Sequence, residues 1–161
     1  MSQTNSMVDH NAMRANQAFI IALLLLAFVL DSTVLVAFVG LTMLLGTATR
    51  RPGFILAYRA LQRLNIVEPD PIPDHPEPHR FAQFVGSIFL LAATGFLLAS
   101  INPAGWILSW VVIALAALNL FVGFCVGCAM YYWLSRLGAP GFELEPPAGT
   151  RPGWRPEGGD A

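Results

Sequence analysis

Residues 18–45 read AFIIALLLLAFVLDSTVLVAFVGLTMLL, an apolar run that is interrupted once, by the triplet Asp31-Ser32-Thr33. As a single helix this run would be about 42 Å long, which exceeds the hydrocarbon core of a bilayer. The triplet is acidic, turn-prone and able to cap a new helix. We therefore predict two helices, over about residues 14–30 and 33–49, joined by a tight turn. A single kinked helix is the alternative.

The composition indicates a membrane protein. Of the 161 residues, 55% are hydrophobic and 12% are charged. Four stretches contain no Asp, Glu, Lys or Arg, namely residues 18–30, 34–45, 81–98 and 106–130. Because these stretches lack the alternation of barrel strands, they favour helices. The sequence predicts an all-α integral membrane protein with four transmembrane helices as two hairpins, over residues 14–49 and 80–134.

The remaining segments are expected to be peripheral. Residues 50–79 predict a cytoplasmic amphipathic helix with its arginines toward lipid headgroups, followed by an extended proline-rich linker. A soluble helix packed under the bundle is the alternative to the interfacial one. We expect His75 and His79 of the linker to be solvated. Residues 1–13 are expected to be a disordered leader, and residues 135–161 a disordered cytoplasmic tail.

The arginines predict the orientation. All nine basic residues are Arg, and the two predicted hairpin turns carry none of them. The positive-inside rule then puts both termini and the central segment in the cytoplasm. The arginines beside these segments are Arg14, Arg50, Arg51, Arg59, Arg63, Arg80 and Arg136.

Both cysteines, Cys125 and Cys128, lie in the run GFCVGC of the predicted last helix. On a continuous helix the two Cβ atoms would be about 5–6 Å apart, whereas a disulfide requires roughly 3.8 Å. A disulfide here would therefore be strained and easily reduced, as at a redox or transfer site. Apolar burial and the C-terminal half of a helix would both disfavour a thiolate.

A cation from another helix would make the thiols more reactive. We hypothesise a polar seam in which Arg80 and Gln83 approach the two cysteines inside the bundle. Arg14 and Gln17 are the alternative donors, because they begin the first hairpin on the same side of the membrane.

Packing is the competing interpretation of this helix. Gly123 and Gly127 form a small-xxx-small pair that lets two helices approach closely. Asn119 aligns with these glycines, away from the cysteines, and suits an interhelical hydrogen bond. The cysteines would then be small apolar residues. A zinc site is the third alternative. Its candidate ligands besides the cysteines lie in the linker, so we assign no metal and no cofactor. The candidate ligands are His75, His79, Asp70 and Asp74.

Three features together resemble a known family. Arg14-x-x-Gln17 opens the first hairpin, Arg80-Phe-Ala-Gln83 opens the second, and Asn119 leads into the Gly-Phe-Cys-x-Gly-Cys run. Over about residues 9–137 the chain resembles an uncharacterised bacterial family of four-helix membrane proteins, filed as a domain of unknown function. The resemblance implies a bacterial inner membrane and thiol or sulfur traffic with thioredoxin-like or sulfurtransferase proteins.

Two classes of function follow from these observations. In the first, the protein is a membrane thiol-redox or sulfur-relay component, in which one cysteine attacks, the other resolves, and Arg80 or Arg14 stabilises the anion. In the second, it is a non-catalytic accessory subunit of a larger membrane complex or a homo-oligomer. A small anion transporter is a weaker third class. Membrane lipids are expected partners, and no feature indicates nucleic acid.

Overall fold

The computed structural model describes residues 6–146 and 149–155, and the described chain is mostly helical, as predicted. Its elements in chain order are β1 Ser6–Asp9, α1 His10–Val29, α2 Thr33–Ala48, α3 Ile55–Arg63, β2 Pro71–Asp74, α4 Pro76–Leu98, α5 Asn102–Ala117, a π-helical turn Leu118–Val122 and α6 Val126–Arg136.

The long apolar run of the N-terminal half is divided between α1 and α2. Asp31 takes a left-handed conformation (φ 47°), and Ser32 Oγ accepts the backbone N–H of Leu35 at 3.4 Å. This hydrogen bond satisfies one of the free donors at the start of α2. The run is therefore two helices and not one kinked helix.

Three helices are long and apolar enough to cross a membrane. They are His10–Val29, Pro76–Leu98 and the continuous stretch Asn102–Val122 formed by α5 and the π-helical turn. The apolar helix Thr33–Ala48 is shorter. These helices indicate a membrane protein.

The helices pack around one apolar core. α1 contacts α2 and α5, and α4 contacts α2, α5 and α6. The core includes Ile20, Val39, Leu90 and Val112, each from a different helix. The N-terminus of α1 and the N-terminus of α4 lie at one end of the bundle, since His10 and His79 both contact Asp74. The C-terminus of α2 lies at the same end, because Arg80 of α4 donates to the Thr47 carbonyl. The site described below lies at this end.

A small sheet closes this end of the bundle. β1 and β2 are antiparallel, with Val8 opposite Ile72. The leader and the linker therefore differ from the prediction, since both contribute a strand. Proline is tolerated in a two-stranded edge ladder and at the first position of a helix, so the prolines of this segment do not prevent either element. α4 accordingly begins at Pro76, before the predicted start at Arg80. Residues 1–5, 147–148 and 156–161 lie outside the described residues.

α3 is attached to α1 through Tyr58. The Tyr58 side chain is buried, and its Oη donates to Asp9 Oδ2 at 2.6 Å. Burial and this hydrogen bond raise the pKa of Tyr58 to about 12. Asp9 also caps α1 by accepting two backbone N–H groups. Leu56 on α3 and Leu64 directly after it are exposed, so α3 packs against the protein through the side that carries Tyr58 and has apolar side chains on its outer side.

Candidate functional site

The last predicted helix, residues 106–134, is broken between its two apolar halves. After the π-helical turn, Gly123 takes a left-handed conformation (φ 75°), and Cys125 is extended (φ −99°, ψ 105°) as the N-cap of α6. Glycine adopts a left-handed conformation without steric cost, so the chain can turn here and start a new helix. The prediction of one continuous helix is wrong.

The break changes the chemistry of the two cysteines. Cys125 Sγ accepts the backbone N–H of Cys128 at 3.2 Å. The two residues form a disulfide, and their Cα atoms are 5.2 Å apart, an ordinary disulfide spacing. The N-terminus of a helix carries partial positive charge and free N–H donors, which favour an anion. We predicted that the cysteines lie in the C-terminal half of a helix, where a thiolate is disfavoured; this prediction is therefore wrong.

A histidine and an aspartate continue from the second cysteine. His79, in the first turn of α4, has Nδ1 3.4 Å from Cys128 Sγ and Nε2 2.9 Å from Asp74 Oδ2. The order Cys–His–Asp follows the logic of a catalytic triad, in which the carboxylate orients the imidazole and the imidazole exchanges a proton with the nucleophile.

Asp74 is a buried carboxylate with several donors around it. Its Oδ2 lies 3.2 Å from His10 Nε2, and its Oδ1 accepts the backbone N–H of His75 at 2.7 Å. Burial alone would raise the pKa of Asp74, but the hydrogen bonds from His10 and His79 and the charge of His79 lower it well below its ordinary value. Asp74 is therefore an anion that can only accept hydrogen bonds.

This acceptor determines which nitrogen of His79 is free. In a neutral imidazole only one nitrogen carries hydrogen, and the Asp74 carboxylate needs that hydrogen on Nε2. Nδ1 is then an acceptor and can receive the proton of a reduced Cys128. In the protonated ring Nδ1 donates to the sulfur instead. The arrangement can hold the proton that a dithiol releases.

The C-terminal segment covers the disulfide. The backbone N–H of Cys125 donates to the Gly153 carbonyl at 2.7 Å, and that of Arg155 donates to the Gly123 carbonyl at 3.0 Å. The rings of Phe124 and Trp154 lie 5.3 Å apart. The exposed fractions of Cys125 and Cys128 are only 7% and 3%. The predicted disordered tail is thus, at residues 149–155, an ordered cover.

Gly153 allows this cover to lie close to α6. Its φ is +83°, and a Cβ added there would lie 2.7 Å from the Ala129 Cβ and 2.9 Å from the Cys125 carbonyl oxygen. No side chain fits at this position without displacing the cover.

Arginines surround the covered disulfide. A cavity of about 20 Å³, room for little more than one water, is lined by Cys125, Cys128, Arg14, Arg151 and Arg155. Burial and the charge of Arg14 lower the pKa of Arg155. Gln17 lines the same cavity. The alternative donors of the predicted seam, Arg14 and Gln17, therefore lie beside the sulfurs.

The preferred donors of the predicted seam have other partners. Arg80 Nη2 donates to the Thr47 carbonyl at 3.5 Å, and Gln83 Nε2 donates to the Met43 carbonyl at 2.8 Å, both on α2. Within residues 6–146 and 149–155, neither side chain forms a hydrogen bond to a sulfur. Asn119 was predicted to face away from the cysteines, but it lines the same cavity as they do. The break at Gly123 changes the direction of the chain after Asn119, so the cysteines no longer follow the face expected for a continuous helix.

The site also has the donor set of a metal centre. Ligand atoms of His79, Cys125 and Cys128 all lie within 4.8 Å of one another. Two thiolates and one imidazole form a zinc-type set once the disulfide is reduced, and Asp74 would be the outer partner that orients the histidine.

Sequence reasoning missed His10, and it named Asp74 and His79 only as candidate zinc partners in the linker. The prediction that His75 and His79 are solvated is wrong: His75 is 4% exposed, and His79 belongs to α4. The available signal was Pro76, since proline favours the first position of a helix and would place His79 one turn into α4. That turn lies at the same end of the bundle as the cysteines.

The fold and the site together define an α-helical membrane protein with a Cys-x-x-Cys pair at the N-terminus of a helix. Residues 8–136 match the model of a family described as a domain of unknown function (DUF4395). The chain belongs to this family, which confirms the resemblance found in the sequence. No curated protein and no solved structure matches the chain significantly.

Proposed function

We propose that the protein is a membrane thiol–disulfide relay in which Cys125 and Cys128 cycle between dithiol and disulfide. The observation that carries the proposal is the 3.4 Å approach of Cys128 Sγ to His79 Nδ1. A disulfide that only staples the fold has no need for an imidazole oriented by a buried carboxylate.

The two cysteines have different roles in this relay. Cys125, at the helix N-terminus, attacks a partner disulfide: a mixed disulfide forms and the partner's other sulfur leaves as a thiolate. His79 Nδ1 then takes the proton of Cys128. The Cys128 thiolate attacks Cys125 Sγ, the internal disulfide forms, and the second partner thiolate leaves. Two electrons pass from this protein to the partner, and the reverse sequence reduces the pair.

The arginine distribution supports a topology for this relay. We infer four spans as two hairpins, with α2 as the shortest span, and both termini in the cytoplasm of a bacterial inner membrane. The pair would then exchange electrons with a cytoplasmic thioredoxin-like protein. Because the pair is covered, such a partner must first displace residues 149–155.

Sulfur relay is a second candidate, favoured by the arginines around the disulfide. A persulfide on Cys125 would be an anion, and Arg14, Arg151 and Arg155 all line the cavity beside that sulfur. With thiosulfate as donor, the Cys125 thiolate would take the terminal sulfur and sulfite would leave. Incubation of the reduced chain with thiosulfate tests this, because the product is heavier by one sulfur atom.

The accessory-subunit interpretation loses its main support. A Cβ at Gly127 would lie 2.5 Å from the Ala82 Cβ, so this glycine serves contact between α6 and α4 of the same chain. Gly123 is used for the turn before Cys125. Neither glycine is needed for packing against another subunit.

The experiment reacts the reduced full-length chain in mild detergent with oxidised glutathione and follows its intact mass. We expect wild type to proceed to the internal disulfide, and Cys128→Ser to stop at a glutathione adduct on Cys125. His79→Gln should prolong the adduct by on the order of a hundredfold, the usual contribution of a general base.

His75→Gln is the matched control, because it keeps the backbone N–H that Asp74 accepts, and among the described residues the His75 side chain forms no hydrogen bond to a sulfur. Equal adduct lifetimes in His79→Gln and wild type, or failure of wild type to form the internal disulfide, would refute the relay.

A further inference from the structure

A second, larger cavity extends from the disulfide into the bundle. It has a volume of about 370 Å³ and is lined by residues of α1, α4, α5 and α6, and also by residues of β1, α2, α3 and the segment that joins α2 to α3. At one end it reaches Cys125, and at the other it is lined by Ile20, Phe89, Val112 and Leu115 from the three helices that could span a membrane. The relay described above does not use this space.

The cavity has the character of a binding site for an amphipathic small molecule. Its volume is in the range of small-molecule sites, which are mostly apolar with a few polar groups that orient the ligand. Its apolar end lies near the middle of the candidate spans, so a ligand with an apolar tail can be drawn from the lipid phase. Its polar end lies beside the sulfur.

The polar end presents hydrogen-bond donors that lack partners. Arg80 Nε is buried and has no acceptor among the described residues. The side-chain amides of Gln17 and Asn119 form no hydrogen bond within residues 6–146 and 149–155, and both line the cavity. A ligand that fits must therefore carry oxygen acceptors at the end that meets Cys125.

We propose that this cavity binds a membrane quinone, which serves as the electron acceptor of the cysteine pair. The inference rests on the proposed relay. A quinone has an apolar tail for the inner end, two carbonyl oxygens for the unpartnered donors, and the capacity to take two electrons. A phospholipid could fill the same space, but it could not exchange electrons with the sulfur that forms the cavity wall.

The step is balanced without any further reactant. Both S–H bonds of the reduced pair break and the S–S bond forms. The two electrons and two protons pass to the quinone, whose carbonyl oxygens become the hydroxyl groups of a hydroquinone. His79 takes the proton of Cys128, and the cationic Arg80 stabilises negative charge that develops on a quinone oxygen.

The test mixes the reduced full-length chain, without oxygen, with decylubiquinone in detergent micelles. Hydroquinone is followed by ultraviolet absorbance and the cysteines by mass after alkylation. We expect one hydroquinone for each disulfide formed. Leu115→Trp, which fills the apolar end, should slow the reaction by on the order of tenfold or more. Val111→Trp is the matched control, because Val111 lies one turn away on the same face of α5 and does not line the cavity.

Diamide, a soluble dithiol oxidant, separates this proposal from the relay. If diamide oxidises the wild-type pair but decylubiquinone does not, the quinone proposal is overturned and the relay stands. If neither forms the internal disulfide, the relay fails. Equal quinone rates in Leu115→Trp and wild type also overturn the proposal and leave the cavity to a lipid chain. If Leu115→Trp slows diamide as well, Phe89→Trp decides: Phe89 lines the apolar end of this cavity and not the small cavity at the disulfide, so the change must slow the quinone reaction alone.

Discussion

Replacing Asp74 by Asn should destabilise the protein strongly, because Asp74 is only 4% exposed and accepts hydrogen bonds from two imidazoles and one backbone N–H. A hydrogen bond to a charged group contributes about 1.5–3 kcal/mol to stability. The oxygen of an Asn side chain can still accept the backbone N–H of His75, but it cannot accept from both His10 and His79 as the carboxylate does. We therefore expect a loss of about 2–3 kcal/mol, which lowers Tm by on the order of 5 °C.

The pH dependence of this loss identifies its cause. Because the pKa of Asp74 is lowered in the folded protein, its contribution is complete above the ordinary carboxyl value near 4 and is lost as the pH falls below it. The difference between wild type and Asp74→Asn should thus be large at pH 7 and should narrow as the pH falls below about 4.

Thermal unfolding in mild detergent, followed by circular dichroism from pH 7 to pH 3, measures both effects. Asp70→Asn is the control, because the Asp70 side chain is exposed and should change stability by less than about 0.5 kcal/mol. The reasoning is refuted if Asp74→Asn is as stable as wild type at pH 7, or if the gap is the same at pH 3.

Three further predictions concern the cover, the helix contact and α3. After reduction, Gly153→Ala should be alkylated at its cysteines faster than wild type, whereas Gly149→Ala, which has the same positive φ but no atom near its Cβ, should not. Gly127→Ala should lower stability by about 1–3 kcal/mol through overpacking, while Gly95→Ala, with open space around it, should not. Tyr58→Phe should cost about 1 kcal/mol, measured by thermal unfolding; since the pKa of Tyr58 is raised to about 12, that difference should persist up to pH 10 and vanish toward pH 12.

The helical part of the fold follows from the sequence because lipid leaves few options for an apolar run. The triplet at residues 31–33 carries an acidic residue and a cap inside such a run, and the chain turns there. By contrast, Gly123 itself is the one local feature of the sequence that indicates the break there. It is completed by pairing with residues 149–155, and no local pattern indicates such a long-range contact.

Part of the candidate site could be predicted from the sequence. The cysteines were identified by their spacing, and Arg14 and Gln17 by their position at a helix start. His79 and Asp74 were assigned to a linker, because closely spaced prolines suggested an extended chain. Two of those prolines lie in β2 and two lie in the first turn of α4. The residues that suggested an extended linker therefore belong to a strand and to a helix start.

The cover over the disulfide lies outside the part of the chain that matches the family. Residues 8–136 contain the bundle, both cysteines, His79 and Asp74, whereas Gly153 and its neighbours follow that region. The matched region and the cover can therefore diverge separately in sequence, and substitutions within residues 149–155 would alter access to the sulfurs without changing any residue that carries a sulfur or transfers a proton.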